Sequence, residues 1–170
     1  MEFKEVYNDG TIKVTRSDHG WGVWARPATT TLLVRDGKII LIEDKKTEND
    51  HWLWNCPGGM IDEGETSEQG AARECEEEVG LIPTKLEKFA TIKTDFPDTY
   101  VDYYIGSELH QGERAPWVKA KLEDIGNTKE HTWEELYAFA INYQLRDPRF
   151  VVAILLLAKQ DELLRFYSLI

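Results

Sequence analysis

The sequence has few cysteines, no long apolar run and a shortage of positive charge, and each shortage narrows what the chain can be. Its 170 residues include two cysteines, Cys56 and Cys75, which form neither a disulfide framework nor a CxxC metal motif. We therefore expect reduced thiols in the cytoplasm. The longest apolar run, FVVAILLLA at residues 150–158, is too short to span a bilayer. The first ten residues, MEFKEVYNDG, have mixed charge and no apolar signal region.

The charge balance points to cationic rather than anionic partners. The chain has 20 basic and 31 acidic residues, for a net charge of −11. This charge disfavours nucleic acid and anionic membranes as partners, because both repel an acidic surface. It suits a protein that recruits divalent cations.

The predicted elements follow the order strands, helix, strands, helices, which indicates an α+β sandwich of a mixed sheet and helices. We expect residues 1–27 to form a short N-terminal β appendage, and residues 28–170 to form one main domain. Two β-branched runs flank Asp36-Gly37, a dipeptide that favours a tight hairpin turn. A capping box at Thr132 and Glu135 begins a later helix, and Asp147 with Pro148 begins the last one.

The segment TSEQGAARECEEEVG is predicted to be a helix that carries an acidic face. Thr66 or Ser67 can cap its start, and Gly80 can end it in a left-handed conformation. The carboxylates of Glu74, Glu77 and Glu78 stand at i, i+3 and i+4 and share one face, whereas Glu76 points away from them. Three such carboxylates repel one another unless a cation lies between them, and magnesium prefers oxygen ligands. The alternative for the helix alone is a solvated face.

Residues 59–81 fit the pattern G-x5-E-x7-R-E-U-x-E-E-x-G-U, where U is apolar. This pattern resembles the signature of the Nudix hydrolase superfamily, with Cys75 as a less usual choice at an apolar position. The resemblance implies an α/β/α sandwich that hydrolyses a nucleoside diphosphate linked to another group, with Mg²⁺ or Mn²⁺ as cofactor. The resemblance also implies roles for individual residues: metal ligands Glu74, Glu77, Glu78 and the carbonyl of Gly59; catalytic Glu77 and Glu78; structural Glu65 and Arg73.

Features outside the pattern resemble the ADP-ribose pyrophosphatase branch of that superfamily. Pro97 lies 16 residues after Leu81, a β appendage precedes RPATTTLLV, and LRDPRFVVAILLLAK forms a final apolar helix. The branch implies ADP-ribose or a related nucleoside diphosphate sugar as substrate. A dinucleoside polyphosphate, or a non-catalytic module that senses a nucleotide, are the alternatives. Loss of one signature glutamate would favour a sensor; all three are present, which favours an enzyme.

The branch also implies a carboxylate from a late loop as general base, and Glu123 in KLEDIGN is the best match. Asp124 and Glu130 are its competitors, and a solvated loop acid is the structural alternative.

The N-terminal segment supplies the remaining candidates. Trp24 and Arg26, with Pro97, are expected near the substrate, where an aromatic ring can stack on a base and a guanidinium can meet a phosphate. The alternatives are core packing for Trp24 and a surface salt bridge for Arg26. A small β unit of this kind tends to pair with another surface, so we expect a homodimer through residues 1–27.

Overall fold

The computed structural model describes residues 4–46, 51–93, 99–116, 125–142, 144–145, 150–151, 154–155 and 157. Ten strands and two helices have bounds within these residues: β1 Lys4–Asn8, β2 Ile12–Ser17, β3 Gly20–Ala25, β4 Ala28–Arg35, β5 Lys38–Lys46, β6 His51–Asn55, β7 Gly58–Met60, α1 Ser67–Val79, β8 Leu81–Lys93, β9 Tyr100–Gln111, β10 Ile125–His131 and α2 Trp133–Ile141. Among the described residues, no helix is both long enough and apolar enough to cross a membrane.

The N-terminal strands form a sheet of their own, in the order β1-β2-β3, and both pairs are antiparallel. The predicted β appendage is therefore present, with one strand, β1, that the sequence pattern did not distinguish. The chain leaves this sheet at Ala25, whose N–H and carbonyl both bond the hydroxyl of Thr99, the residue before β9 of the main sheet.

The main sheet has the order β10-β5-β4-β9-β8, with β6 paired to β5 and β7 paired to β4. It is mixed, because β4 and β9 are parallel while the other pairs are antiparallel. Alternation along β4 and β5 divides the apolar side chains between two faces. On one face, Leu33, Ile40 and Ile42 pack with Leu81 and with Cys75 and Val79 of α1. On the other face, Leu32, Val34, Ile39 and Leu41 pack with Phe150 and with Trp133 and Leu136 of α2.

Helix packing on both faces confirms the predicted α/β/α sandwich. The turn predictions are also confirmed. Asp36 and Gly37 both have positive φ, at 49° and 73°, and join β4 to β5 in a hairpin. Thr66 caps α1 in a capping box with Gln69, and Gly80 ends the helix with φ 78°. Thr132 and Glu135 form the second predicted capping box. The third predicted cap, at Asp147 and Pro148, lies outside the described residues.

One expectation was wrong. Residues 125–131, which include the late-loop candidate Glu130, are an edge strand, β10. Among the described strands, β10 pairs only with β5, at the edge of the sheet. An edge strand can be polar, and the sequence IGNTKEH lacks the apolar alternation typical of a strand. The side chain of Glu76 accepts a hydrogen bond from the Glu113 N–H at 3.4 Å.

Candidate active site

Helix α1 lies directly against strand β7, and the contact needs a glycine. A Cβ built on Gly59 would lie 2.7 Å from the carboxyl carbon of Glu74, far inside a normal carbon–carbon contact. Glu74 is 8% exposed, so its carboxylate is packed against the main chain of β7 rather than extended into solvent. The glycine thus lets an acidic side chain reach the strand, as the close-approach role of glycine predicts.

The guanidinium of Arg73 gathers the acidic side chains of this region. Its Nε donates to Glu65 at 3.0 Å, and its Nη2 donates to the other Glu65 oxygen at 3.1 Å and to the Met60 carbonyl at 2.8 Å. Its Nη1 donates to Glu74 at 2.7 Å and to Glu77 at 3.1 Å. Nε donates once and Nη1 and Nη2 twice each, which uses all five N–H groups of an arginine. Arg73 therefore ties the loop before α1 to two of the three expected metal ligands.

The charges of this cluster change one another's protonation. Hydrogen bonds from Arg73 hold the pKa of Glu65 below its ordinary value, against the opposing effect of burial. The same hydrogen bonds raise the pKa of Arg73 far above its ordinary value. Both groups thus stay charged at neutral pH, and the pair fixes the loop at residues 60–65 against the helix.

Glu78 belongs to the neighbouring position on the same helix face and has a separate contact. Its Oε2 accepts a hydrogen bond from the Gly58 N–H at 2.9 Å, and the residue is 7% exposed. Glu77, by contrast, has a side chain that is 33% exposed. Two of the three carboxylates are therefore buried against β7, and the third borders the solvent.

The donor set fits a hard divalent cation. Carboxylate oxygens of Glu74, Glu77 and Glu78 lie within one turn of α1, beside the main chain of β7, and magnesium prefers such oxygen ligands. The described residues contain no group of three acidic, histidine or cysteine side chains arranged as a finished metal cage. The contacts explain this, because Glu74 and Glu77 face Arg73 and Glu78 faces the Gly58 amide. Their role as metal ligands stays a prediction.

Of the three residues expected near the substrate, the structure describes the side chain of Arg26 but not those of Trp24 and Pro97. Arg26 forms the alternative that the sequence left open, a salt bridge: its Nη2 donates to Asp62 at 2.8 Å and to the Ile61 carbonyl at 3.2 Å. This contact sets Arg26 beside the loop that Arg73 also holds. Trp24 lies in β3, and its side chain is outside the described part of the structure. Pro97 is likewise outside the described residues.

Of the candidate general bases, Glu130 lies in the edge strand β10, and Glu123 and Asp124 lie outside the described residues. Glu130 accepts two hydrogen bonds from Arg35, at 2.7 and 3.0 Å. Glu130 pairs with Ile40 of β5, which pairs with Leu33 of β4. Gly59 pairs with Thr29 of β4, four residues before Leu33. Four residues correspond to about 13 Å of strand, so Glu130 is not a base for chemistry at Gly59.

Sequence reasoning missed two residues near this site. Asp62 links Arg26 to the cluster, with one carboxylate oxygen 3.8 Å from Arg73 Nε. Asp102 is 3% exposed in β9 and lies beneath the start of α1. A signal for Asp102 was available, since it is one acidic residue within the apolar run YVDYYIG, and buried carboxylates are rare unless paired.

Comparisons with known proteins show the family and the fold. A family model described as NUDIX domain matches residues 24–162. The 8-oxo-dGTP diphosphatase of Escherichia coli (strain K12) is 38% identical over 63 residues, which cover 37% of this chain and 48% of that protein. The ADP-ribose pyrophosphatase of Bacillus subtilis (strain 168) is 30% identical over 135 residues, which cover 71% of this chain and 73% of that protein. The match thus spans about half the length of the first relative and nearly three quarters of the second.

Two solved structures share the fold. An ADP compounds hydrolase superposes with a TM-score of 0.72 at 17% identity, over 95% of this chain and 92% of that one. A MutT NUDIX hydrolase from Burkholderia pseudomallei superposes with a TM-score of 0.52 at 23% identity, over 64% of this chain and 84% of that one. At these identities the likeness establishes the fold.

Proposed function

The chain belongs to the NUDIX domain family, and from this premise we propose that it is a metal-dependent pyrophosphohydrolase. The substrate is ADP-ribose or a related nucleoside diphosphate sugar, and the products are a nucleoside monophosphate and a sugar phosphate. The observation that carries the proposal is the cluster around Arg73, which holds the carboxylates of Glu74 and Glu77 beside Gly59. All the signature residues of the family are present in that cluster or next to it.

Mg²⁺ or Mn²⁺ would be held by Glu74, Glu77, Glu78 and the carbonyl of Gly59. When bound, the ion neutralises the charge of a diphosphate and lowers the pKa of a water molecule. The chain's own part is to keep the ligands in place: Arg73 orients Glu74 and Glu77, and the Gly58 amide orients Glu78. Glu77 is more exposed than Glu74 and Glu78.

Hydrolysis needs a group that removes a proton from the attacking water. The water oxygen forms a bond to one phosphorus, the bridging phosphorus–oxygen bond breaks, and the proton passes to a carboxylate. We keep Glu123 in this role. The residues that flank its segment support the choice: the Ala115 N–H donates to the Glu77 carbonyl at 2.9 Å, and Arg114 bonds both the Glu78 carbonyl at 2.6 Å and the Gly126 carbonyl at 3.1 Å.

The length of the matches favours ADP-ribose. The alignment with an ADP-ribose pyrophosphatase covers 71% of this chain, whereas that with the E. coli 8-oxo-dGTP diphosphatase covers 37%. The second candidate substrate is an oxidised purine nucleoside triphosphate, favoured by the higher identity of the shorter match. Arg26 and Trp24 remain candidates for substrate contact, since Arg26 lies beside Asp62 at the loop that leads into α1.

The substrate class is testable with the purified full-length chain and millimolar Mg²⁺. The panel contains ADP-ribose, a nucleoside diphosphate glucose, a diadenosine polyphosphate and 8-oxo-dGTP, with products separated by chromatography. We expect AMP and ribose 5-phosphate from ADP-ribose at the highest kcat/KM. Glu77→Gln should remove the activity, and Glu76→Gln, a neutralisation on the same helix outside the cluster, should keep it. Preferred release of pyrophosphate from 8-oxo-dGTP would instead assign the second substrate, and no hydrolysis of any compound would indicate a nucleotide sensor.

The general base has its own test. Glu123→Gln should lower kcat by at least 100-fold with a small change in KM, because a base acts in the transition state. Asp124→Asn and Glu130→Gln are the matched controls. A loss of kcat in Asp124→Asn, with a normal Glu123→Gln enzyme, would move the role to Asp124.

We also propose that residues 1–27 form a unit apart from the main domain at residues 28–170, and that they join two chains in a homodimer. One face of the small sheet supports this proposal. Register places Tyr7, Val14 and Val23 in one row and Arg16 beside Trp21 in another, and Trp21 and Val23 are 60% and 49% exposed. An exposed apolar face of this kind is typical of an interaction surface.

Light scattering at micromolar concentration tests the dimer. We expect the mass of two chains, with Trp21→Glu giving a monomer and Lys13→Glu, on the opposite face of the same strands, leaving the dimer intact. A wild-type monomer would refute this part of the proposal.

We propose a cytoplasmic location. The two cysteines, Cys56 and Cys75, are buried free thiols with no disulfide framework pattern, which agrees with a reducing compartment.

A further inference from the structure

Asp102 is a buried carboxylate that joins three elements of the fold. It accepts hydrogen bonds from the hydroxyl of Thr91 and from the ammonium of Lys88, the latter at 3.2 Å, both in the neighbouring strand β8. The hydroxyl of Ser67, the first residue of α1, lies beside it and helps to lower the pKa of its carboxyl group. The Ser67 oxygen in turn accepts a hydrogen bond from the Tyr104 hydroxyl at 2.9 Å. The start of α1 is therefore tied to the sheet through polar contacts.

The network keeps this carboxylate charged. Burial alone would raise the pKa of Asp102, but hydrogen bonds from Ser67, Thr91 and Lys88 lower it below the ordinary value. A negative charge at this place also faces the N-terminal end of α1, where the helix dipole favours it. A buried charge is unfavourable unless it is paired and hydrogen-bonded, so its presence here needs an explanation beyond filling the core.

The sheet register places Asp102 in one row with the candidate active site. Gly59 of β7 pairs with Thr29 of β4, Thr29 pairs with Asp102 of β9, and Asp102 pairs with Thr91 of β8. Residues paired in this way present their side chains to the same face of a sheet. The row thus runs straight across the strands, beneath α1.

Helix α1 crosses this row, and the spacing of its residues along the helix axis matches the spacing of the strands. Glu74 stands over Gly59, Ser67 lies beside Asp102, and between them a Cβ at Gly70 would lie 3.5 Å from the Thr29 side chain. Seven residues of helix rise about 10.5 Å, and two strand spacings span about 9.6 Å. The distance from Ser67 to Glu74 along the helix therefore equals the distance from β9 to β7 across the sheet, within about 1 Å.

We infer that Asp102 is a positioning residue of the active site: by holding Ser67 it sets where α1 lies along its own axis, and so places Glu74 over Gly59. A shift of α1 by one residue would move Glu74 by about 1.5 Å and turn its side chain by about 100°. The inference rests on the proposed function, because it gives Glu74 its value as a metal ligand.

The test measures metal binding separately from hydrolysis. Affinity for Mn²⁺ alone is measured by titration calorimetry, and kcat and KM are measured with the preferred substrate. Ser67→Ala removes the hydroxyl that meets both Asp102 and Tyr104, and it leaves Asp102 with Lys88 and Thr91. We expect about 10–100-fold weaker Mn²⁺ binding and a lower kcat, the range seen when residues that orient metal ligands are removed. Ser67→Thr, which keeps the hydroxyl, should restore both values, and Asp102→Ala should reproduce the loss if it folds.

Lys88→Met is the matched control, because it removes the salt bridge without touching the tether to α1. It should lower the melting temperature with Mn²⁺ affinity unchanged. Equal losses of stability in Ser67→Ala and Lys88→Met, with wild-type Mn²⁺ affinity in both, would mean a purely structural role and overturn the inference. A wild-type chain that binds no Mn²⁺ would overturn it as well. A wild-type chain that hydrolyses none of the panel, yet binds Mn²⁺ more tightly than Ser67→Ala, would support the inference and refute the proposed function.

Discussion

Two adjacent glycines, Gly58 and Gly59, should fail in different ways when each is replaced by alanine. The Cβ of Gly59→Ala would lie 2.7 Å from the carboxyl carbon of Glu74, and carbon atoms in contact prefer about 3.5–4.0 Å. The carboxylate must therefore retreat by about 1 Å. It lies at the end of a flexible side chain, so it can move without displacing the main chain.

The expected effect of Gly59→Ala falls on activity rather than on stability. A displacement of about 1 Å in a reacting group lowers the rate by about 100-fold. The unfolded chain loses conformational freedom with alanine, which favours the folded state by about 0.4–1 kcal/mol, and this gain offsets part of the strain on the contact between Glu74 and Arg73. We expect a free energy of unfolding within about 1 kcal/mol of wild type, a kcat/KM about 100-fold lower, and weaker Mn²⁺ binding.

Gly58→Ala is the matched control, because its Cβ would lie 2.7 Å from the Cα of Thr30 in β4. Main-chain atoms cannot move aside without separating β7 from β4. Overpacking of this kind costs about 1–3 kcal/mol, and about 2 kcal/mol lowers the Tm of a domain of this size by about 4–8 °C.

Thermal unfolding, calorimetry with Mn²⁺ and initial rates measured on the three proteins decide the matter. Gly59→Ala with wild-type kcat/KM and metal affinity would refute the assignment of Glu74 to the site. Equal losses of Tm in the two variants would refute the distinction between a side-chain contact and a main-chain contact.

Three further predictions concern single groups. Millimolar Mg²⁺ should raise the Tm of the wild type, because it binds the folded site alone. Glu78→Gln should abolish both this increase and most activity while remaining folded by circular dichroism. If Mg²⁺ raises the Tm of Glu78→Gln as much as that of the wild type, the metal role of Glu78 is wrong. Burial raises the pKa of the Cys75 thiol to about 12, so a thiol reagent at pH 8 should label this residue only after denaturation, and Cys75→Val should remain folded and active. The pKa of Glu65 is lowered in the folded state, so its ionised form stabilises the fold above the unfolded pKa of 4.5, and this stabilisation is lost as pH falls. Glu65→Gln should therefore weaken the dependence of the free energy of unfolding on pH between about pH 5 and pH 2. An unaltered pH dependence would refute the coupling to Arg73.

The parts of the site that the sequence predicted are those that depend on local spacing. Glu74, Glu77 and Glu78 share a face because a helix repeats every 3.6 residues, and Arg73 can reach Glu77 because the two are one turn apart. The ends of α1 were predictable for the same reason, since Thr66 and Gly80 are adjacent to the residues they cap. The family pattern added Gly59 and Glu65, whose contacts with α1 span longer separations.

The parts that the sequence did not predict depend on the register between distant strands. Asp102 is 35 residues from Ser67 in the chain, and only the parallel pairing of β9 with β4 brings it beneath α1. Arg26 meets Asp62 because the small sheet ends beside the loop before α1. Strand β10 carries no apolar alternation, so a prediction based on periodicity has no signal there.

The acidic helix leads to a consequence for the stability of the protein without metal. The carboxylates of Glu65, Glu74 and Glu77 share one guanidinium, that of Arg73, and Glu78 adds a fourth negative charge on the same helix, where it accepts a hydrogen bond from the Gly58 N–H. Mutual repulsion of these charges opposes folding when no cation is bound. Neutralising Glu78 should therefore leave the metal-free Tm unchanged or raise it, even as it removes the gain from Mg²⁺. The residue would then serve function at the expense of stability, as is usual for ligand sites that assemble like charges.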